Sequence, residues 1–208
     1  NEQVTSLMGI SVKNVLVKVQ GTKLKSTGPL LITHWGMSGP AILKLSSLGA
    51  RLLNEFNYSF NIQINWANQI NNTIVEHVIK ETALKNPNKK IGSTKLYDIP
   101  ERLWNYLLTK SEILADKKWN EIGKKSINKL INQLTNDTYS IEGKTTFKEE
   151  FVTCGGVSLD SIDLNTMQSK SINNLYFAGE VLDIDAITGG FNFQAAWTTG
   201  FIAGKLGE

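Results

Sequence analysis

The sequence predicts an α+β protein, a mainly antiparallel β-domain interrupted by a helical insertion. Three observations predict it. Tyr58, Phe60, Ile62, Ile64 and Trp66 alternate with Ser59, Asn61, Gln63 and Asn65, the period of a half-buried antiparallel strand. Near residue 70 the apolar spacing changes to that of helices, and it stays so to about residue 136. β texture then returns at Tyr139-Ser140-Ile141 and over 145–153, with a Glu142-Gly143 turn between them. These changes place 1–69 in the first part of the β-domain, 70–136 in the insertion and 137–160 in the return strands. The chain beyond residue 160 has a character of its own.

The elements are read in chain order. Residues 11–20 are rich in β-branched side chains and form a strand. A short polar strand over 23–26 precedes a turn at Thr27-Gly28-Pro29, and Leu30–Thr33 is a buried strand that runs into His34-Trp35-Gly36-Met37-Ser38-Gly39-Pro40. Pro40 suits a first helical turn capped by Ser38 or Gly39, and Ile42, Leu45, Leu48, Leu52 and Phe56 continue a helix over 41–54. In the insertion, one helix carries Ile70, Ile74, Val78 and Ile79. A second comes after Pro100 with Leu103, Leu107 and Leu108, and a third carries Ile127, Leu130, Ile131 and Leu134, with a short turn at 119–122. Further on, 166–169 is a short strand, 171–174 a turn, and Leu175–Ala178 an apolar strand ending at Gly179-Glu180. A polar loop through Asp183-Ile184-Asp185 then leads to Gly189-Gly190 and a helix to about residue 205.

Composition narrows the function. Net charge is +3, and the 22 basic residues include only Arg51 and Arg102, with lysines scattered among acids. Nucleic-acid recognition leans on arginine forks and a concentrated basic face, so a nucleic-acid partner is not expected. No apolar run is long enough to span a membrane, and the polar start Asn1-Glu2-Gln3 is no signal peptide. One cysteine, Cys154, excludes an intrachain disulfide, and two histidines, His34 and His77, argue against a Cys/His zinc site. A cytoplasmic protein is the expectation. The start lacks an initiator methionine, which suggests a piece of a longer protein. The 17 glycines include no G-x-G pair, so no dinucleotide fingerprint is present, and the sequence has no G-x-x-x-x-G-K-[ST] phosphate loop either.

Three glycine-bearing points could carry chemistry. Gly189-Gly190 opens a helix, an arrangement that aims backbone N–H groups at an anion or a polarised carbonyl, and Asn192 and Gln194 add amide donors. Ala196, Gly200 and Gly204 make a bare stripe on that helix. Spacing alone leaves two readings open, a helix that approaches a ligand and a tightly packed terminal helix. Thr153-Cys154-Gly155-Gly156-Val157 reads most simply as a β-turn or bulge, and Cys154 as an incidental thiol. Gly36-Met37-Ser38 begins like a nucleophile elbow, but Pro40 holds the position of its second glycine, which argues against a serine hydrolase. His34 and His77 read as structural.

Taken together, three segments carry a resemblance: Gly28–Leu43 (G-P-L-L-I-T-H-W-G-M-S-G-P-A-I-L), Val152–Leu159 (V-T-C-G-G-V-S-L) with Thr166–Lys170 (T-M-Q-S-K), and Leu175–Asp183 (L-Y-F-A-G-E-V-L-D) with Thr188–Trp197 (T-G-G-F-N-F-Q-A-A-W). In order and spacing the chain resembles the YhiN/BaiN-type bacterial flavoproteins, the aminoacetone-oxidase family of FAD-binding proteins. Asn174 departs from the glycine usual before Leu-Tyr-Phe. The resemblance implies that 161–208 is the C-terminal strand–helix segment of a Rossmann-like FAD-binding domain whose first half lies outside this chain. It implies an FAD-dependent oxidoreductase, working by two-electron transfer through flavin N5 in the intact protein, with this piece alone inactive and without FAD. Gly179 and Glu180 would lie at the ribityl and pyrophosphate end of the pocket. Gly189, Gly190, Asn192 and Phe193 would line the isoalloxazine through backbone amides, while Thr153, Gly155 and Gly156 would approach the ring. Asp183 and Phe191 complete the implied cofactor-binding positions. No metal and no catalytic residue is implied; the partners would be a small-molecule substrate and, as a candidate electron donor, NAD(P)H. The rival class is a non-catalytic β/helical interaction module without cofactor.

Overall fold

A computed structural model describes residues 2–144, 152–187 and 189–206. They divide into two compact units, one of 1–45 with 56–143 and one of 46–55 with 144–208. In chain order the elements are α1 (Glu2–Thr5), β1 (Ser11–Val19), β2 (Lys25–Ile32), β3 (Met37–Ser38), α2 (Pro40–Leu48), α3 (Ala50–Glu55), β4 (Ser59–Asn65), α4 (Asn72–Lys85), α5 (Glu101–Lys110), α6 (Lys124–Thr135), β5 (Asp137–Glu142), β6 (Ile162–Asp163), β7 (Gln168–Ser169) and α7 (Phe191–Ala203).

The first unit is organised by an antiparallel sheet of order β3-β2-β1-β4-β5. β1 reads S-V-K-N-V-L-V-K-V, and Val12, Val15, Val17 and Val19 are all buried although the first has the opposite parity from the rest. The register explains it. Val12 pairs with Leu30 and Val15 with Gly28, so β1 carries one extra residue there, and this bulge keeps all four valines on one face. The same bulge overturns the expected turn at Thr27-Gly28-Pro29, because β2 runs straight through it. Pro29 sits opposite the bulge, where the ladder is already interrupted, so its missing N–H leaves no gap in the ladder.

Between β4 and β5 stand α4, α5 and α6. α4 is capped by Asn71, whose side chain accepts from the Thr73 N–H at 2.9 Å. Its buried residues are Val75 and Ile79; Ile70 lies before the helix at 98% exposure, and Ile74 is exposed. The expected apolar stripe is therefore shifted by one residue. α5 starts directly after Pro100 and buries Leu103, Trp104, Leu107 and Leu108, with Trp104 Nε1 donating to Ile91 O at 2.8 Å. α6 buries Leu130, Ile131 and Leu134.

At the seam with the sheet, Asp137 is 1% exposed. Its carboxylate accepts from Trp66 Nε1 (2.9 Å), Tyr139 Oη (2.5 Å) and Lys110 Nζ. A buried carboxylate persists only when its oxygens are so engaged. Burial first, and then the Asp137 charge, push the Tyr139 phenol far above its usual range.

Apart from α3 and the end of α2, the second unit has little regular structure before α7. β6 and β7 form a two-residue ladder, and Ile162, Met167 and Leu182 are its buried cluster, packed by Val157, Phe177, Ile184 and Ile202. The single helix expected over 41–54 is two, α2 and α3, parted at Gly49. The strand expected at Leu175–Ala178 is absent. Tyr176 makes one bridge, to Gln168, and no other strand among the described residues offers a ladder. The strand–helix half of a Rossmann-like domain is thus not seen as a sheet. The return strand expected over 145–153 falls mostly on residues outside those described, and Val152 and Thr153 are not in a strand.

Candidate functional site

The second unit brings most of the candidate residues together. Val157 pairs in parallel with Leu182: Val157 N–H donates to Val181 O at 2.8 Å and Asp183 N–H to Val157 O at 3.0 Å. This lays Gly155 and Gly156 beside the Gly179–Val181 turn. Gly156 has to be glycine, because a Cβ there would meet the Leu182 carbonyl carbon and the Val181 oxygen at 2.6 Å, and its φ is +155°. Gly155, Gly179 and Gly190 have positive φ of a different consequence: around each, the place of a Cβ is open. The backbone at these three points can be approached closely by a flat group.

α7 begins behind Gly190, which is left-handed (φ +92°) and offers no side-chain cap. The N–H groups of a first helical turn have no acceptor within the helix and carry its positive dipole end. The expected side-chain donors are occupied elsewhere. Asn192 is a two-point clamp on Ala186, accepting from its N–H (2.9 Å) and donating to its carbonyl (2.8 Å), while Gln194 donates to Thr198 Oγ1 at 3.1 Å. Asn192 therefore fixes the backbone at Ala186, and its side chain is not a free donor. Gly179 is tied to the same helix: its N–H donates to the buried Thr199 Oγ1 at 3.0 Å, which in turn donates to Ala195 O. Thr188 lies outside the described residues.

Asp183 is held by a partner that sequence reasoning missed. Arg51 Nη2, on α3, reaches its two carboxylate oxygens at 2.8 and 2.9 Å. The residues are 132 apart in sequence, and no local pattern signals the pair. Asp183 and Asp185 hold the Arg51 guanidinium more firmly charged, Asp183 the more strongly. A hydrogen bond to Asp185, then burial and the Asp185 charge, raise the Cys154 thiol, so the exposed Cys154 is no activated nucleophile. Glu180 and Thr153 are exposed at the edge of the cluster.

The face of α7 away from Thr199 is unusual. Phe193, Trp197 and Phe201, spaced four residues apart, are 70%, 69% and 68% exposed, and Phe191 is exposed as well. Phe193 and Trp197 stack with ring centroids 6.2 Å apart. Among the described residues no group of His, Cys, Asp and Glu could hold a metal ion, and no helix is long and apolar enough to cross a membrane.

The first unit, an antiparallel sheet with a three-helix insertion between β4 and β5, defines the class of protein by itself. Residues 1–152 match the family described as "HI0933-like protein barrel and H2TH domain", and the chain belongs to that family. It is 30% identical over 198 residues to the ribosomal RNA dihydrouridine synthase of Escherichia coli K12, covering 95% of this chain and 46% of that protein. It is 29% identical to the ribosomal RNA dihydrouridine synthase of Haemophilus influenzae, again over 95% of this chain and 46% of the relative. It is 27% identical to the 3-dehydro-bile acid delta(4,6)-reductase of Clostridium scindens over 87% of this chain and 44% of the relative. The chain spans less than half the length of the curated relatives it matches.

Proposed function

We propose that this chain is part of an FAD-dependent reductase whose substrate is a uracil base in ribosomal RNA, and that residues 161–208 complete the flavin pocket of the intact protein. The observation that carries the reading is the uncapped start of α7 behind Gly189-Gly190, with Gly155 and Gly179 open to close approach. These residues fit a flavin. Gly155, Gly179 and Gly190 admit a planar ring against bare backbone, and the first-turn amides of Phe191, Asn192 and Phe193 suit the oxygen edge of such a ring. When bound, FAD supplies two-electron hydride chemistry. The chain's own residues do the rest. The α7 N-terminus favours negative charge by about 0.3–1 kcal/mol at an exposed site and more when dry. Asn192, through Ala186, fixes the loop that leads into that turn, and Arg51 fixes Asp183.

The exposed Phe193, Trp197 and Phe201 support the same reading, since a stripe of that kind marks a surface that something covers. In the intact protein the cover would be the first half of the flavin domain. The two dihydrouridine synthases, which match almost the whole chain, point to the substrate. Reduction of uracil at its 5,6 double bond adds a hydride and a proton, with a nicotinamide as the source of electrons. The similarity to a bile-acid reductase favours a second reading, a small unsaturated ketone reduced in the same way, at lower identity. An RNA substrate would reverse the expectation, drawn from the scattered lysines, that no nucleic acid binds.

The test is to purify the intact protein and incubate it with NADPH and ribosomal RNA. A flavin absorption band and new dihydrouridine in the RNA are expected, and Asn192→Ala should weaken flavin retention. A folded, colourless intact protein would end the flavin reading; a yellow one that reduces an unsaturated steroid and leaves RNA untouched would transfer the activity to the second reading.

A further inference from the structure

Lysines that look scattered along the sequence gather in the first unit. A cleft of about 530 Å³ is lined by Lys110 and Glu112 at the end of α5 and by Lys125, Asn128, Lys129, Asn132 and Gln133 on α6. The face of α6 opposite the cleft is the buried one, with Leu130 and Leu134. Lys125, Asn128 with Lys129, and Asn132 succeed one another at helical spacing, so the polar ridge runs for about seven residues, about 10 Å at 1.5 Å per residue. That is longer than one phosphate and suits successive phosphates of a strand.

The charges in the cleft are positioned. Lys110 Nζ is drawn to Asp137 and lies 4.6 Å from the centre of the Tyr139 ring. Glu112, the acid in the lining, is paired with Lys129, which holds its carboxyl below the usual range, chiefly through their hydrogen bond. Lys125 adds to that field and has no ion-pair partner among the described residues. The cleft therefore keeps a surplus positive charge, with Asn128 and Asn132 as neutral donors beside it. Positive charge and amides are the contact set of a nucleic-acid backbone rather than of a base.

We propose that this α5–α6 cleft seats the phosphodiester backbone of the RNA substrate, with Lys125 and Lys129 contacting phosphates and Asn128 and Asn132 the neighbouring oxygens. The proposal rests on the RNA reading above and assigns the docking to a part of the chain remote in sequence from the flavin residues. Its test is direct binding of a fluorescein-labelled single-stranded ribosomal RNA fragment to the intact protein, read by anisotropy between about 50 and 200 mM salt. Lys125→Glu should weaken binding on the order of 5- to 10-fold and flatten the salt dependence by about 0.7 to 1 in log–log slope. Glu112→Gln, which frees Lys129, should tighten binding by about 2-fold. Lys23→Glu makes the same change in net charge outside the cleft and should have the smaller effect. Circular dichroism checks each fold, and Lys125→Gln repeats the test with a gentler change. Equal losses for Lys125→Glu and Lys23→Glu, or RNA binding indifferent to all of them, would overturn the cleft and leave the RNA substrate standing. Absence of RNA binding by the unaltered protein at the lowest salt would overturn both.

Discussion

α6 and α7 are helices of 12 and 13 residues, yet they meet solvent in opposite ways. α6 is polar on one side and apolar on the other, and Leu130 and Leu134 are completely buried. α7 is apolar nearly all round, but among its residues only Thr199 is buried. A helix apolar on every side belongs in an interior. The difference teaches that the apolar face of α6 is buried within the first unit, whereas α7 leaves its aromatic face exposed. A helix can thus be fully formed without burying its apolar side chains.

The comparison can be broken at either end. The largest effect should come from α6, where Leu130→Ala is expected to cost about 2–5 kcal/mol through lost burial and the cavity left behind. Urea denaturation would measure it, and a change within error of zero would mean that the first unit is not held by this packing. A middle-sized effect concerns the seam beneath the helices. Tyr139 keeps its proton in the fold well above pH 10.0, where the unfolded phenol loses it. The native state then binds more protons than the unfolded one, so stability is intact below about pH 10 and falls above it, by at most about 1.4 kcal/mol per pH unit. Tyr139→Phe should flatten that alkaline decline while lowering stability near neutrality; an unaltered alkaline slope would show that other groups set it. The smallest effect should come from α7. Trp197→Ser and Phe201→Ser should change the stability of this chain by no more than about 0.5 kcal/mol and reduce its binding of a hydrophobic dye. A loss of several kcal/mol would mean that the aromatic face is packed within the chain after all.

The same contrast sets how much can be read from the sequence. In the first unit periodicity marks most of the buried faces, because β1, β4, α5 and α6 find their neighbours inside it. The alternation at 58–66 and the leucines of α5 and α6 mark buried faces. Where expectation and structure part, the cause is a compensation that periodicity does not encode. Gly28-Pro29 resembles a turn unless one knows that β1 bulges opposite it. In α4 the burial pattern depends on where Asn71 starts the helix. The candidate site is legible as a set of glycines, since a positive φ or a flush contact such as that at Gly156 leaves few alternatives. What fixes those glycines is not. Arg51 meets Asp183 only in three dimensions, and the engagement of Asn192 with Ala186 is invisible to residue type, which suggests a free donor. The apolar run at 175–178 shows the limit in its plainest form: beside the two-residue β7 it finds only two backbone hydrogen bonds, from Ser169 to Leu175 and from Phe177 to Met167, which make a bridge and not a ladder.

One consequence of the carboxylate at the seam concerns association. β5 is the last strand of its sheet among the described residues, and such a margin can recruit a foreign chain. Asp137 points inward from it, satisfied by Trp66, Lys110 and Tyr139 together. A slip of one residue would turn this carboxylate outward, bring Thr138 in and strand three donors. The outermost strand therefore has a single acceptable alignment, which protects it against sliding along β4.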